Sequence, residues 1–161
     1  MTARLWERHV RALGALLLCA VLGASGCRRR PEDDTPEGVV REWVERMSRM
    51  HGHPEDASRA FELLSAGAKK NLDERARRAS AATGRQIGPA EMLVPSRFSL
   101  RFAPKSYRAR IAGDRALVEV TGQQSQNQRA EVACVREDGK WRLELDLPPL
   151  PAIERRPDGG V

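Results

Sequence analysis

The chain has 161 residues, with 28 lysines and arginines against 22 acids, a net charge of +6 and a pI near 9.9. That length gives one domain with a core of its own, and with only 4% aromatic residues the core must be built from small aliphatics, so any pocket is modest. Such a basic balance in a cytosolic protein would point to nucleic acid; the N-terminal stretch is what excludes that partner.

Arg4, Arg8 and Arg11 stand there against a single acid, Glu7. Ala12 to Leu22 is an apolar run of signal length, shorter than the ~17–25 residues a spanning helix needs. Gly23, Ala24, Ser25 and Gly26 are small enough for an extended segment entering a peptidase, and Cys27 ends it, followed by three arginines. The arrangement resembles the signal peptide and lipobox of a bacterial lipoprotein, with Ala24 standing where leucine is usual. The resemblance implies loss of residues 1–26 and a diacylglyceryl group on Cys27, the new N-terminus. Two or more acyl chains hold stably where one binds marginally and reversibly. An ordinary cleaved secretion signal and an uncleaved short anchor are the alternatives.

Loss of residues 1–26 removes three arginines and one glutamate, leaving 135 residues with a net charge of +4. Behind such a signal, the partners that fit are the membrane itself, another envelope protein or an anionic polymer, unless the charge is simply a well-solvated surface. Of the three cysteines, Cys19 leaves with the signal and Cys27 is consumed by lipid, so a mature monomer forms no internal disulfide. The third, Cys134, sits in the strand-like run Glu131–Val135 and reads as a buried small hydrophobe.

Residues 27–35 form the lipidated cysteine and its tether. Arg28, Arg29 and Arg30 are balanced by Glu32, Asp33 and Asp34, which reads either as a solvated spacer or as arginines each gaining ~1 kcal/mol from anionic headgroups beside the lipid, and which reaches at most about 28 Å. In lipoproteins of diderm bacteria an aspartate directly after the cysteine favours inner-membrane retention. Arg28 in that place implies, by resemblance, the outer membrane, with the domain facing the periplasm.

Thr35-Pro36-Glu37 opens a helix, with a capping hydroxyl, a proline at the first position and an acid at the positive end of the dipole. Val39, Val40, Trp43, Val44, Met47 and Met50 share one face, and Gly52 stops the helix. Pro54 starts a second helix carrying Ala57, Ala60, Phe61 and Leu64. Ser65 caps a third, through Ala68, Leu72, Ala76 and Ala79 to Gly84. A short piece follows around Pro89–Leu93, and Pro95 closes the helical half.

Beyond it the period drops to two. Phe98, Leu100 and Phe102 alternate with Arg97, Ser99 and Arg101, and Tyr107, Ala109 and Ile111 with Arg108 and Arg110. Gly113-Asp114 turns into Ala116–Val120, a glutamine-rich link follows, and a strand runs around Val132. Asp138-Gly139 is a two-residue hairpin signal that delivers Trp141, Leu143, Leu145 and Leu147 opposite Arg142, Glu144 and Asp146. Helices and then a meander predict an α+β domain over 36–147, its N-terminal helices packed on one face of a curved antiparallel sheet of about four to five strands. A proline- and glycine-rich tail, 148–161, is expected to be irregular or loosely packed, with a polyproline ligand as the sharper alternative.

The element order, with Thr35-Pro36-Glu37-Gly38-Val39-Val40, Ala60-Phe61-Glu62-Leu63-Leu64-Ser65 and Asp138-Gly139-Lys140-Trp141-Arg142-Leu143, resembles the nuclear-transport-factor-2-like superfamily from Thr35 to Leu147. That resemblance implies a cone of helices against the sheet. Enzymes of the fold place acid–base residues in the pocket between the two layers, but none of their residues is matched one for one here.

No phosphate-binding glycine loop, zinc-protease helix or nucleophile elbow occurs, so no cofactor or catalytic residue is named. Glu119, Glu131 and Tyr107 are the remaining candidates for a hidden acid–base pair. Met47, Met50, His51 and His53 form the one metal-like cluster, with thioethers and imidazoles that suit copper. The competing reading puts the methionines in the core and the histidines in a turn. Arg97, Arg101, Arg108 and Arg110 are expected on one sheet face as an anion-binding surface, unless Glu144 and Asp146 offset them across the strands. The function these features favour is a non-catalytic binding or assembly module at the membrane. A lyase or isomerase and a copper-binding protein are the alternatives.

Overall fold

The computed structural model describes residues 31–51 and 53–150. Helix α1 (Pro36–Arg49) begins as its sequence dictates: the Gly38 N–H donates to Thr35 Oγ1 at 3.0 Å and Pro36 takes the first position. Its inward face is Val39, Val40, Trp43 and Met47, all buried. Helices α2 (Pro54–Glu62) and α3 (Ala66–Thr83) follow, and Ser65 Oγ caps α3 by accepting from the Ala68 N–H at 3.2 Å. Gly52, expected to end α1, lies outside the described residues.

Four strands complete an α+β fold: β1 (Pro104–Ala112), β2 (Arg115–Gly122), β3 (Arg129–Glu137) and β4 (Lys140–Glu144). They form one antiparallel meander in chain order. The β3–β4 turn is Asp138-Gly139, both at positive φ (50° and 78°), which pairs Glu137 with Lys140. This is the combination a two-residue hairpin requires. The ladder then places Tyr107, Ala109 and Ile111, Ala116, Val118 and Val120, Val132 and Cys134, and Trp141 and Leu143 on one face. Every buried side chain of the sheet belongs to that face, where it meets α1 and the α2–α3 junction. Each fully buried Val, Leu or Met there contributes about 1.5–3 kcal/mol.

The free edge of β4 is partly covered. The Leu143 N–H donates to Leu63 O at 2.9 Å, and the Ser65 N–H to Leu143 O at 2.8 Å, pinning the α2–α3 junction to the sheet. At the opposite edge Glu37 Oε1 of α1 accepts from the Ala109 N–H of β1 at 3.0 Å. Both edges are thereby blunted against pairing with another chain.

Two expectations change. Pro95 does not close the helical half but opens its last turn, α4 (Pro95–Phe98), in which the Ser99 N–H donates to Pro95 O. The strand expected over Arg97–Phe102 therefore does not form. Proline fixes φ in the helical range, and its missing N–H costs nothing at a first position. Phe98, Leu100 and Phe102 still pack against the core, without a ladder. Strand β4 ends at Glu144, so Leu145 and Leu147 pack on the core outside the sheet and Asp146 joins no strand.

The segment read as a spacer is also partly fixed. Glu32–Asp34 forms a 3-10 turn in which Asp33 Oδ2 accepts from Arg142 Nη1 at 3.0 Å and lies 3.1 Å from Lys140 Nζ. Burial pushes the Asp33 carboxyl up, but hydrogen bonds and charge from Arg142 and Lys140 outweigh it and hold the group below its usual range. Gly38 explains how closely this turn approaches α1: a Cβ there would overlap the Glu32 carbonyl oxygen and come within 2.8 Å of Thr35 Oγ1. Gly38→Ala would gain about 1 kcal/mol of helix propensity, yet it is expected to unseat the turn. The check is faster hydrogen exchange of the Asp34 amide, which donates to Pro31 O at 3.1 Å in the native chain.

Candidate binding surface on the outward sheet face

Opposite the core, strand alternation builds a face from Ser106, Arg108 and Arg110 of β1, Arg115, Leu117, Glu119 and Thr121 of β2, Arg129, Glu131 and Ala133 of β3, and Arg142 and Glu144 of β4. None of these residues is buried. Register puts Arg108, Glu119 and Glu131 in one row across three strands. The ion pairs run diagonally to it: Arg110 Nη2 to Glu131 Oε1 at 2.8 Å, Arg129 to Glu119 at 3.4 Å, and Arg115 to Glu144 at 4.0 Å. Exposed pairs of this kind contribute about 0–1 kcal/mol each, so the lattice organises charge more than it stabilises the fold.

Of the four arginines expected together, the structure brings only Arg108 and Arg110 onto this face. Arg97 is in α4, with its guanidinium 5.5 Å from the Phe98 ring centre, and Arg101 is exposed between α4 and β1. Both miss the sheet because the strand meant to carry them is replaced by the α4 turn. Arg110 is offset as the alternative reading required, but by Glu131 instead of Glu144 or Asp146. Among the described residues Arg108 has no hydrogen-bond or ion-pair partner.

The acid–base candidates are separated by the same alternation. Glu119 and Glu131 are cross-strand partners on the outward face, whereas Tyr107 pairs with Val120 on the inward face. Tyr107 lies 5.2 Å under the Arg41 guanidinium, and burial pushes its phenol above the usual range. The space between the layers is filled by Trp43, Met47, Leu64, Val118, Val120, Trp141 and Leu143, each at most 5% exposed. The metal-like cluster divides as well. Met47 is 1% exposed in the core, Met50 packs at its margin, and His51 and His53 face solvent, His53 Nδ1 lying 3.2 Å from Glu55 Oε1. Cys27 lies outside the described residues.

Cys134 is buried on the inward face, and burial first, then Glu144 and Glu37, push its thiol up to about 12. The thiolate is the reactive form. In a chain with Cys19 and Cys27 replaced by serine, Cys134 should ignore a disulfide reagent at pH 8 until denaturant is added.

Sequence reasoning missed two buried or half-buried acids. By sequence Asp33 reads as part of the spacer. Asp56, 5% exposed at the start of α2, receives Arg46 Nη1 at 2.7 Å and lies 3.5 Å from Arg49 Nε. Asp56 reads as an ordinary first-turn acid, and nothing local signals that α1 would lay two arginines over it.

No protein-family model matches this chain, and comparison with curated proteins and with solved structures finds no match either. The functional reading therefore rests on the residues themselves.

Proposed function

We propose that this chain is a non-catalytic binding or assembly module, held at an envelope membrane by lipid on Cys27 and presenting its outward sheet face to a partner. The observation that carries the reading is the contrast between the two faces of the sheet. The inward face is packed solid and holds Tyr107 apart from Glu119 and Glu131, while the outward face is left exposed by the described residues and laid out as ordered charge. The helix-then-meander order supports a nuclear-transport-factor-2-like outline, although a filled interior departs from the pocket that enzymes of that fold use.

The docked turn sharpens the picture of the tether. With Glu32–Asp34 fixed on β4 and α1, only Arg28, Arg29 and Arg30 separate Cys27 from Pro31. That span reaches at most about 14 Å. A domain mounted so closely suits a partner at the bilayer surface, and Arg28 after the cysteine supports the outer membrane, facing the periplasm.

Two measurements in cells test the proposal. Radiolabelled palmitate should enter the wild-type chain and not Cys27→Ser. A photo-crosslinker at position 117 on the outward face should capture one defined envelope protein or polymer. Crosslinks to neighbouring lipids alone, or a cytoplasmic chain with residues 1–26 attached and no acyl mass, would overturn it.

A further inference from the structure

Within the outward face lies a hollow of about 220 Å³, lined by Ser106, Arg108, Glu119, Thr121, Ser125 and Arg129. Its wall is a built one. The link after β2 folds back so that the Gly122 N–H donates to Gln128 O at 2.9 Å and the Gln124 N–H to Gln128 Oε1 at 3.2 Å, which places Ser125 beside the strands. A Cβ at Gly122 would collide with Gln128 and with Phe102, so the fold of this link depends on that glycine.

Every lining residue is polar, which excludes an acyl chain or other apolar ligand. Ser106 Oγ and Thr121 Oγ1 share a 2.6 Å hydrogen bond, and Arg129 is partly engaged by Glu119. The Arg108 guanidinium and the Ser125 hydroxyl have no partner among the described residues. Two guanidiniums against one carboxylate leave the lining at +1, which matches a ligand with a single negative charge. Glu119 would repel a second charge but accepts hydrogen bonds from hydroxyls. The volume falls below the ~300–1,000 Å³ that encloses a drug-sized ligand, so the hollow fits one ring.

We propose that the hollow binds a uronate-type sugar: one ring with one carboxylate and several hydroxyls, as a unit of an acidic envelope polysaccharide. Arg108 takes the carboxylate through its planar fork. Glu119 accepts from ring hydroxyls, and Ser106, Thr121 and Ser125 complete the contacts. There is no aromatic platform in the lining, so a single unit binds weakly and a polymer gains by repeated engagement. The inference rests on the binding-module reading and names its ligand.

The test is calorimetry of the full chain in detergent micelles against a galacturonate oligomer, neutral dextran and glycerol 3-phosphate. Saturable binding to the galacturonate oligomer and none to dextran is expected. Arg108→Gln should weaken binding about tenfold or more, whereas Arg97→Gln, the same charge change away from the hollow, should alter it less than twofold. Arg108 is exposed and has no partner among the described residues, so its variant should melt at the wild-type temperature. Equal losses from the two variants would mean diffuse charge attraction, and tighter binding of glycerol 3-phosphate would mean a phosphate site. Either result, or no binding, overturns the assignment. The crosslinking test of the binding module is indifferent to all three, because it captures any partner.

Discussion

Leu143→Ala is expected to lower stability by about 2–5 kcal/mol, with Tm falling by roughly 10 °C, while Leu117→Ala should stay within about 1 kcal/mol of wild type. Leu143 is fully buried on the inward face of β4, whereas Leu117 is half-exposed on the outward face of β2. Truncating Leu143 removes its transfer free energy and leaves a cavity between the α2–α3 junction and Cys134, its cross-strand partner. Its backbone links to Leu63 and Ser65 survive in alanine, so the loss isolates the side chain. Urea denaturation of both variants provides the check. Similar midpoints for the two would mean that the faces of the sheet are misassigned, and with them the charged face on which the functional reading stands.

Much of that face assignment was legible in the sequence. Asp138-Gly139 fixes the β3–β4 register on its own, and the Gly113-Asp114 turn does the same for β1–β2, since counting outward from a two-residue turn pairs Arg108 with Glu119 and Ser106 with Thr121. The β2–β3 link defeated such counting. It is six residues long and folds on Gln128, so nothing local told that Glu119 would meet Glu131 or that Arg129 would reach Glu119. The helices were legible because caps and apolar faces agreed at Thr35, Ser65 and Gly84. Arg97–Phe102 misled because aromatic and arginine residues alternate there for a different reason. Phe98, Leu100 and Phe102 each find the core separately from an irregular path that Pro95 starts as a helical turn. Long-range ion pairs were invisible for the usual cause: Asp33 meets Arg142 across 109 positions of sequence.

The same pairing changes the reading of the acids in the tether. Three arginines followed by three acids look self-cancelling along the chain, but Asp33 pairs with Arg142 and Lys140 of β4. Asp33→Asn should therefore free the turn from β4, which faster hydrogen exchange of the Asp34 amide would report.

A larger consequence is expected at Asp56. Its carboxylate is held below the usual 3.8, first by the hydrogen bond from Arg46 and then by the charge of Arg49 and Arg46, which together outweigh burial. A carboxylate depressed in the folded state contributes stability that is fully present above its unfolded value, and loses it as pH falls through the folded one. Wild-type Tm should therefore hold from pH 7 to about pH 5 and fall steeply below about pH 4. Asp56→Asn should melt several degrees lower at pH 7, because the α1–α2 junction then keeps Arg46 and Arg49 with only Glu42 and Glu45 to balance them. The neutral amide has no charge to lose, so the gap between the two proteins should close as the pH drops to 2. Melts at pH 7, 5, 3 and 2 decide it. A gap of constant size across that series would mean that Asp56 acts through shape or hydrogen bonding alone and that its charge does not hold the two helices together.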